Sequence, residues 1–175
     1  MDSTIKLIIF DVDGVLTDGT LLIGSDGTEY KGFNTQDGMG ISLARFAGIK
    51  TAIITGRKSK AVEKRANELS VDYVFQGIHH KVHCLEEMIQ ELGITSEEVC
   101  YIGDDLNDIP ILNLVGFPCS PSNAVELVKS RSNYVSTAAG GKGAVREILD
   151  YYLATQFDYE LLVEQFIESK KEINQ

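Results

Sequence analysis

Several features that would place a protein in a specialised class are missing from this sequence of 175 residues. The cysteines are Cys84, Cys100 and Cys119, which are widely spaced and form no Cys-x-x-Cys pair. An odd number of dispersed cysteines argues against a disulfide framework and favours a reduced protein. No apolar run approaches the length of a membrane span, and no basic segment followed by a signal-length apolar run opens the sequence. We therefore expect a cytoplasmic protein with no membrane partner.

Positive charge is also scarce. The chain has 16 Lys and Arg residues against 26 Asp and Glu residues, which gives a formal net charge of −10. This imbalance argues against a nucleic-acid partner, because such a partner requires a basic surface. Long-range attraction would not bring an anionic substrate to the protein either. A phosphate-bearing substrate would need a bound metal ion and a few placed Lys or Arg residues in the site itself.

The remaining composition is that of an ordinary globular domain, with 43% hydrophobic and 24% charged residues. Apolar runs alternate with helical patterns, beginning with an apolar run at residues 5–10 that is typical of a buried strand. This alternation predicts an α/β fold, a doubly wound parallel sheet with helices on both faces. We expect a single domain over residues 1–155. The C-terminal tail, residues 156–175, has apolar residues spaced as in an amphipathic helix.

Two carboxylates, Asp11 and Asp13, follow the first predicted strand, and Gly14 comes directly after them. Asp and Gly are common in surface turns, so this motif alone leaves a simple turn as an alternative. Open α/β sheets, however, bind their ligands outside the carboxyl ends of the strands. A tight turn there can direct a carboxylate oxygen, a backbone carbonyl and a second carboxylate at one point. Such an arrangement suits Mg²⁺.

The next segment is predicted to be a β-hairpin at about residues 20–33, because two β-prone runs flank Ser25-Asp26-Gly27. Since it follows the acidic pair directly, we expect it to cover the acidic pocket as a flap. It carries more apolar surface than one short flap can bury alone. The apolar residues are Leu21, Leu22, Ile23, Tyr30 and Phe33. Hairpins from several subunits packed together would bury this surface.

Three further polar features fall at predicted strand ends or helix starts. They are Thr55-Gly56-Arg57, Lys81, and the cluster Asp104-Asp105-x-x-Asp108. Because the carboxyl ends of parallel strands meet at one edge of the sheet, these features should converge with the first acidic pair. Together they predict metal-assisted transfer of a phosphoryl group to a carboxylate.

Each residue type suits one part of that chemistry. Asp11 is best placed to act as the nucleophile and form an aspartyl-phosphate. Asp13 can protonate the leaving alkoxide and then activate the hydrolytic water. The hydroxyl of Thr55 can hold phosphate oxygens, and Lys81 can neutralise charge shared between the phosphate and the nucleophile. The predicted Mg²⁺ ligands are Asp11, Asp13 and Asp104, with Asp105 and Asp108 in support.

These motifs resemble, in order and spacing, those of the haloacid dehalogenase superfamily of phosphatases. Four features narrow the resemblance to one family within this superfamily. They are the hairpin, the lack of room for a cap domain, the Thr55-Gly56-Arg57 triplet and the segment 139–147. Over about residues 5–155 the chain is similar to the 3-deoxy-D-manno-octulosonate 8-phosphate (KDO 8-phosphate) phosphatase family. The resemblance implies a capless, Mg²⁺-dependent homotetramer that hydrolyses this sugar-acid phosphate during lipopolysaccharide precursor synthesis.

The resemblance also implies substrate contacts. Thr55, Gly56 and Arg57 are expected to bind the substrate, and Arg65 is expected to reach a substrate carboxylate, in its own or a neighbouring subunit. Members of the family have a polar or basic residue before the Asp-Gly that opens the next helix. Here that residue is Gln36, to which no role is assigned.

Two alternative functions stay open at this point. Relatives that act on a nine-carbon keto-sugar acid 9-phosphate share all the catalytic motifs, although Arg57 favours the eight-carbon substrate. A non-catalytic regulatory domain is the alternative of another class, and the intact set of Asp11, Asp13, Lys81 and Asp104 argues against it.

Two local predictions concern the C-terminal part of the domain. Asn123 is expected to cap a helix that runs to Lys129. The glycine-rich loop at residues 140–143 is expected to be mobile and to bring Lys142 or Arg146 near the pocket.

Overall fold

Within residues 4–172, which are the residues described by this computed structural model, a six-stranded parallel sheet forms the centre of the molecule. In chain order the strands are β1 (Leu7–Phe10), β2 (Leu22–Ile23), β3 (Glu29–Tyr30), β4 (Lys50–Thr55), β5 (Tyr73–Gln76), β6 (Val99–Ile102), β7 (Phe117–Ser120) and β8 (Tyr134–Val135). The sheet order is β5-β4-β1-β6-β7-β8, and every adjacent pair is parallel. The strand β1 is therefore central, with its carboxyl end between those of β4 and β6.

Helices cover both faces of this sheet. They are α1 (Thr35–Phe46), α2 (Lys60–Glu68), α3 (Lys81–Leu92), α4 (Ile109–Leu112), α5 (Glu126–Lys129), α6 (Ala144–Gln156) and α7 (Tyr159–Glu172). Successive residues of β1 point to opposite faces, so Ile8 and Phe10 pack with α1, α2, α6 and α7. Leu7 and Ile9 pack with α3, α4 and α5. The predicted doubly wound α/β fold is confirmed.

The strands β2 and β3 form the predicted hairpin. Leu22 pairs with Tyr30 in the antiparallel register, and the amide of Gly24 donates to the carbonyl of Thr28 over 2.8 Å. In the turn, Asp26 Oδ1 accepts a hydrogen bond of 3.0 Å from the amide of Thr28. Several apolar side chains on the hairpin stay exposed in the protomer, with exposed fractions of 57% for Leu22, 61% for Ile23 and 59% for Tyr30.

The predicted cap at Asn123 is wrong. The helix α5 begins at Glu126, after Val125, and Asn123 lies three residues before it. Its side chain instead bonds two backbone groups, donating to the carbonyl of Gly14 over 3.0 Å and accepting from the amide of Gly140 over 2.6 Å. An Asn side chain that bridges two loops in this way is not available to cap a helix.

The C-terminal helices pack on the same face as α1. Phe166 of α7 lies with its ring centroid 5.4 Å from that of Phe46 in an edge-to-face arrangement. Residue 155, where the sequence placed the end of the domain, lies inside α6, so the division into domain and tail stays a prediction. Residues 1–3 of that domain and 173–175 of that tail lie outside the described residues. Within residues 4–172, every helix is too short or too polar to cross a membrane.

Candidate active site

The chain leaves β1 through Asp11, whose carboxylate is held from two sides. Its Oδ1 accepts a hydrogen bond of 2.7 Å from the amide of Val12, and its Oδ2 lies 2.8 Å from the Nζ of Lys81. The turn that follows requires Gly14, which has a φ of +86°. A Cβ at this position would lie 1.9 Å from Oδ2 of Asp104. A glycine is therefore needed both for the turn and for the close approach of Asp104.

Behind the nucleophile position lies a buried cluster of three side chains. The Nζ of Lys81 lies 2.7 Å from Asp108 Oδ1, and Tyr101 donates its hydroxyl to the same oxygen over 2.6 Å. The other oxygen of Asp108 accepts from the amides of Asp104 and Asp105, over 2.8 Å and 3.2 Å. Both carboxylate oxygens of Asp108 are therefore occupied. The cluster fixes Lys81 beside Asp11 and fixes the backbone that carries Asp104.

Burial disfavours the charged forms of the carboxylates in this region. The pKa of Asp11 is raised to about 6 by burial, although the Lys81 charge opposes this shift. The pKa of Asp104 is raised to about 7 by burial and then by repulsion from Asp108, Asp11 and Asp105. For Lys81, burial alone would lower the pKa, but the charges of Asp11 and Asp108 outweigh it and the pKa is raised. Two crowded carboxylates with raised pKa values are stabilised in their charged forms by a bound cation.

The donor set fits a divalent metal ion. Asp11, Asp104 and Asp108 each offer a carboxylate oxygen, and these oxygens lie within 4.8 Å of one another. Because Asp108 already accepts four hydrogen bonds or ion pairs, Asp11 and Asp104 are the carboxylates left to bind the ion. An all-oxygen set with few carboxylates suits Mg²⁺, which keeps several waters or substrate oxygens. The Asp13 carboxylate lies outside this group, and a contact between Asp13 and the metal ion stays a prediction.

Most of the predicted site residues line one open cleft of about 270 Å³ at the carboxyl edge of the sheet. The predicted residues in its lining are Asp11, Asp13, Thr55, Gly56, Arg57, Asp104 and Asp105. Gly19 and Asn107 also line the cleft, and the sequence analysis did not identify either. Asn107 lies in the turn after β6 beside the predicted acidic cluster, so its proximity in sequence was an available signal.

Charged residues at the base of the hairpin form ion pairs with residues that line this cleft. The side chain of Lys31, directly after β3, forms an ion pair with the carboxylate of Asp13. The Nζ of Lys31 also lies 3.0 Å from Oε1 of Glu29. The Nε of Arg57 donates to Oε2 of Glu29 over 3.1 Å. The hairpin therefore contacts the cleft as the sequence predicted, but through Lys31 and Glu29, which the sequence analysis missed.

Three predicted cations lie away from the lining of this cleft in the protomer. Arg65 forms an ion pair of 3.3 Å with Glu68 and lies against the amino end of α1, where Gly38 provides space. Arg146 donates to Asp150 over 2.6 Å, on its own helix. The Nζ of Lys142 lies 3.9 Å from Asp18. The substrate contact of Arg65 stays a prediction, and a site shared with another subunit is the arrangement that would satisfy it.

The glycine-rich loop packs tightly against the turn after β1. The amide of Gly141 donates to the carbonyl of Val15 over 3.0 Å. A Cβ at Gly140 would lie 1.9 Å from the carbonyl oxygen of Gly14. The loop thus supports the backbone that follows Asp11, and contact between two backbones requires glycine at positions 140 and 141.

Residues 74–149 match the haloacid dehalogenase-like hydrolase family. The chain is 44% identical over 152 residues to the 3-deoxy-D-manno-octulosonate 8-phosphate phosphatase of Escherichia coli K12, covering 87% of this chain and 81% of that protein. A solved structure of the same phosphatase from Moraxella catarrhalis, in complex with magnesium, phosphate and KDO, has a TM-score of 0.89. It is 41% identical and covers 93% of each chain.

The cobalt-bound phosphatase from Haemophilus influenzae is also similar, with a TM-score of 0.84 and 37% identity over 87% of this chain and 90% of that one. Identity at this level over most of both chains confirms the resemblance that the motifs indicated. The chain belongs to the 3-deoxy-D-manno-octulosonate 8-phosphate phosphatase family of haloacid dehalogenase-like hydrolases.

Proposed function

We propose that this protein is a Mg²⁺-dependent phosphatase that hydrolyses KDO 8-phosphate to KDO and phosphate, a step that supplies lipopolysaccharide precursors. The contact that carries the proposal is the buried ion pair between Lys81 and Asp11, with 2.8 Å between Nζ and Oδ2, at the end of the central strand. It holds a buried carboxylate beside a fixed cation, near the Asp104 carboxylate and at an open cleft, which supports Asp11 as the nucleophile. The identity to phosphatases of this substrate, 44% over most of the chain, supports the substrate class.

In the first half of the reaction, an oxygen of Asp11 attacks the phosphorus atom. The bond between phosphorus and the substrate's 8-oxygen breaks, and Asp13 gives its proton to that oxygen so that it leaves as a hydroxyl. The ammonium group of Lys81 stabilises the negative charge that the nucleophile and the phosphoryl group share. At neutral pH Asp11 is mainly ionised, because its pKa is raised only to about 6.

In the second half, water replaces the enzyme oxygen on phosphorus. Asp13, now a carboxylate, takes a proton from the attacking water. The bond between phosphorus and Asp11 breaks and phosphate leaves, which restores both carboxyl groups. Asp11 and Asp104 would hold the Mg²⁺ ion, which when bound would offset the repulsion between an anionic nucleophile and an anionic substrate.

Recognition of the substrate requires cations, because the chain as a whole repels anions. Arg57 lines the cleft, and its side chain is 45% exposed, so its guanidinium can meet a second anionic group of the substrate. Thr55 lies at the end of β4, in the lining of the same cleft, where its hydroxyl can donate to a phosphate oxygen. A guanidinium can bind a carboxylate through two parallel hydrogen bonds. A sugar acid phosphate presents both groups that these residues can bind.

The test is phosphate release by the purified protein from three substrates: KDO 8-phosphate, a nine-carbon keto-sugar acid 9-phosphate, and glucose 6-phosphate, which lacks a carboxylate. We expect KDO 8-phosphate to have the highest kcat/KM, by about tenfold or more over the others, and activity to disappear when EDTA removes the metal. A higher kcat/KM for the nine-carbon substrate would reassign the substrate. No release from any of the three would refute the phosphatase assignment.

We also propose that the working unit is a homotetramer. The hairpin exposes Leu22, Ile23 and Tyr30 in the protomer, and packing hairpins of several subunits together would bury them. Light scattering of wild type and Ile23→Asp checks this, with Ile167→Asp, another exposed isoleucine at 51%, as the matched control. We expect the hairpin variant alone to dissociate. A wild-type monomer would refute the proposal.

The proposed compartment is the cytoplasm. Cys84, Cys100 and Cys119 are all free thiols and all buried. Reduced thiols of this kind are usual in the cytosol, which keeps cysteines reduced. Fractionation of cells that express the tagged protein would test this placement.

A further inference from the structure

The side chain of Lys31 is only 2% exposed, as buried as that of Lys81. Lysine side chains are rarely buried unless their charge is paired. The partners of Lys31 are the carboxylates of Asp13 and Glu29. The mechanism proposed above uses Asp13 but assigns nothing to Lys31. A buried cation in contact with the acid–base group needs a functional explanation.

The ion pair fixes one oxygen of the Asp13 carboxylate. Lys31 contacts Oδ1, so the proton that Asp13 transfers belongs on Oδ2, the oxygen that Lys31 does not occupy. Asp13 lies in an irregular turn, and its carboxylate is 24% exposed, so helix or strand packing does not set its rotamer. The residue that holds this carboxylate comes from the hairpin, on a separate element of the fold.

The lysine itself is held in place from its other side. The Nζ of Lys31 lies 3.0 Å from Oε1 of Glu29, whose Oε2 accepts from Arg57 Nε over 3.1 Å. Four charges therefore alternate from Asp13 across the base of the hairpin to Arg57 at the end of β4. With carboxylates on two sides, the ammonium group has one preferred position.

We propose that Lys31 is a positioning residue for Asp13, one that holds its carboxylate so that Oδ2 faces the oxygen of the leaving group. This inference rests on the proposed function, because it concerns the proton transfer in that reaction. The consequence is specific to the leaving group. An alkoxide needs a proton as it leaves, whereas p-nitrophenolate leaves without one. Misplacing Asp13 therefore slows formation of the aspartyl-phosphate from a sugar phosphate and leaves its formation from an aryl phosphate nearly unchanged. This first half of the reaction is reported by kcat/KM, whereas the second half is the same for both substrates.

The experiment measures kcat and KM of Lys31→Met on KDO 8-phosphate and on p-nitrophenyl phosphate. We expect kcat/KM on the sugar phosphate to fall by about 10- to 100-fold, which is a fraction of the full effect of general acid catalysis. We expect kcat/KM on p-nitrophenyl phosphate to fall less than about threefold, because its leaving group needs no proton in the step that kcat/KM reports. The matched control is Lys50→Met, which removes an exposed lysine paired with Asp72 and should change neither rate.

A second variant covers the case in which Lys31→Met folds poorly. Lys31→Arg keeps the charge in the same place and should retain most of the preference for the sugar phosphate. In the double variant with Asp13→Asn, Lys31→Met should add little further loss, because two residues that act through one group are not additive.

Equal losses on both substrates, or no loss on either, would overturn the role of Lys31 while leaving the phosphatase assignment intact. Full additivity with Asp13→Asn would also overturn it. A wild-type protein that hydrolyses neither substrate would instead refute the proposed function, and the role of Lys31 with it. The wild-type rates therefore distinguish failure of the proposed role of Lys31 from failure of the proposed function.

Discussion

The Nζ of Lys81 lies 2.8 Å from Oδ2 of Asp11, although the two residues come from different elements of the fold. Lys81 is the first residue of α3, and Asp11 directly follows β1. The same ammonium group lies 2.7 Å from Asp108. One buried cation therefore separates two carboxylates that would otherwise repel each other.

Replacing that cation should destabilise the protein. Lys81→Met leaves Asp11 and Asp108 buried without their partner, and we expect the free energy of unfolding, measured by urea without Mg²⁺, to fall by about 3–5 kcal/mol. Lys50→Met removes a lysine whose side chain is 53% exposed, and it should cost less than about 1 kcal/mol. Similar losses in the two variants would contradict this view of the site.

Removing the nucleophile should abolish turnover with little change in shape. We expect Asp11→Asn to lower kcat by about 10⁴- to 10⁶-fold, as measured by phosphate release in saturating Mg²⁺. Asp158→Asn is the matched control, because an Asn can still accept the hydrogen bond that Asp158 takes from the amide of Leu161. An Asp11→Asn enzyme with near wild-type turnover would rule out the covalent route.

Asp13→Asn tests acid catalysis directly. Since Asn cannot supply a proton, we expect kcat/KM on KDO 8-phosphate to fall by about 10²- to 10⁴-fold. The kcat/KM on p-nitrophenyl phosphate should fall less, because its leaving group is stable as an anion. If kcat/KM fell by the same factor on both substrates, Asp13 would be a structural residue of the site and not its acid.

Gly140→Ala tests the contact between the glycine-rich loop and the turn after β1. The added Cβ would lie 1.9 Å from the carbonyl oxygen of Gly14, so one of the two backbones must move. We expect a stability loss of about 1–3 kcal/mol and a fall in kcat of about tenfold or more. At Gly32 a Cβ would meet nothing within 4 Å, so Gly32→Ala is the control in thermal melts and rate assays. Wild-type behaviour of Gly140→Ala would show that this contact has no role.

The carboxylate of Glu147 predicts a pH dependence of stability. It accepts from the amides of Thr137 and Ala138 over 2.8 Å and 3.0 Å. Burial raises its pKa, but these hydrogen bonds, with those from Thr137 and Tyr134 side chains, outweigh burial and lower it. A lowered pKa in the folded state gives stability that is present above the ordinary carboxyl pKa of 4.5 and is lost as the pH falls through the lower pKa of the folded state.

Glu147→Gln should therefore lower the unfolding midpoint at pH 7. The gap from wild type should narrow as the pH falls below about 4.5, where the wild-type carboxyl also becomes neutral. Thermal melts from pH 7 to pH 4 measure this gap. If the difference in unfolding midpoint between wild type and variant widened as the pH fell, the pKa of Glu147 would not be lowered in the folded state.

Most residues of the candidate cleft could be predicted from short sequence motifs. Asp11, Asp13 and Asp104 follow strands and Thr55 ends one, and all four line one cleft because parallel strands end at a common edge. The hairpin was also predictable from the sequence, since its Asp-Gly turn lies between two β-prone runs. These predictions depend on neighbours in sequence and on one general property of parallel sheets.

Residues that act across the fold were not predictable in this way. Asn123 has the residue type of a helix cap, but its partners are Gly14, 109 positions away, and Gly140, 17 positions away. Tyr101 occupies a strand position that suits any large apolar residue, and only the structure shows its hydroxyl on Asp108. Lys31 is two residues from Glu29 and so shares its face of the hairpin, a signal that the sequence did contain.

The order of synthesis bears on when this protein can work. Asp11 leaves the ribosome before the segments that complete its surroundings, because a chain is made and folds from its amino-terminal side. The strand before Asp11 needs β6, at Val99–Ile102, on one side, and Gly14 needs Gly140 against it. A nascent chain that ends before residue 139 holds every proposed catalytic group but lacks the loop that supports the turn after Asp11. We therefore expect activity to arise only after the glycine-rich loop, residues 140–143, has been made.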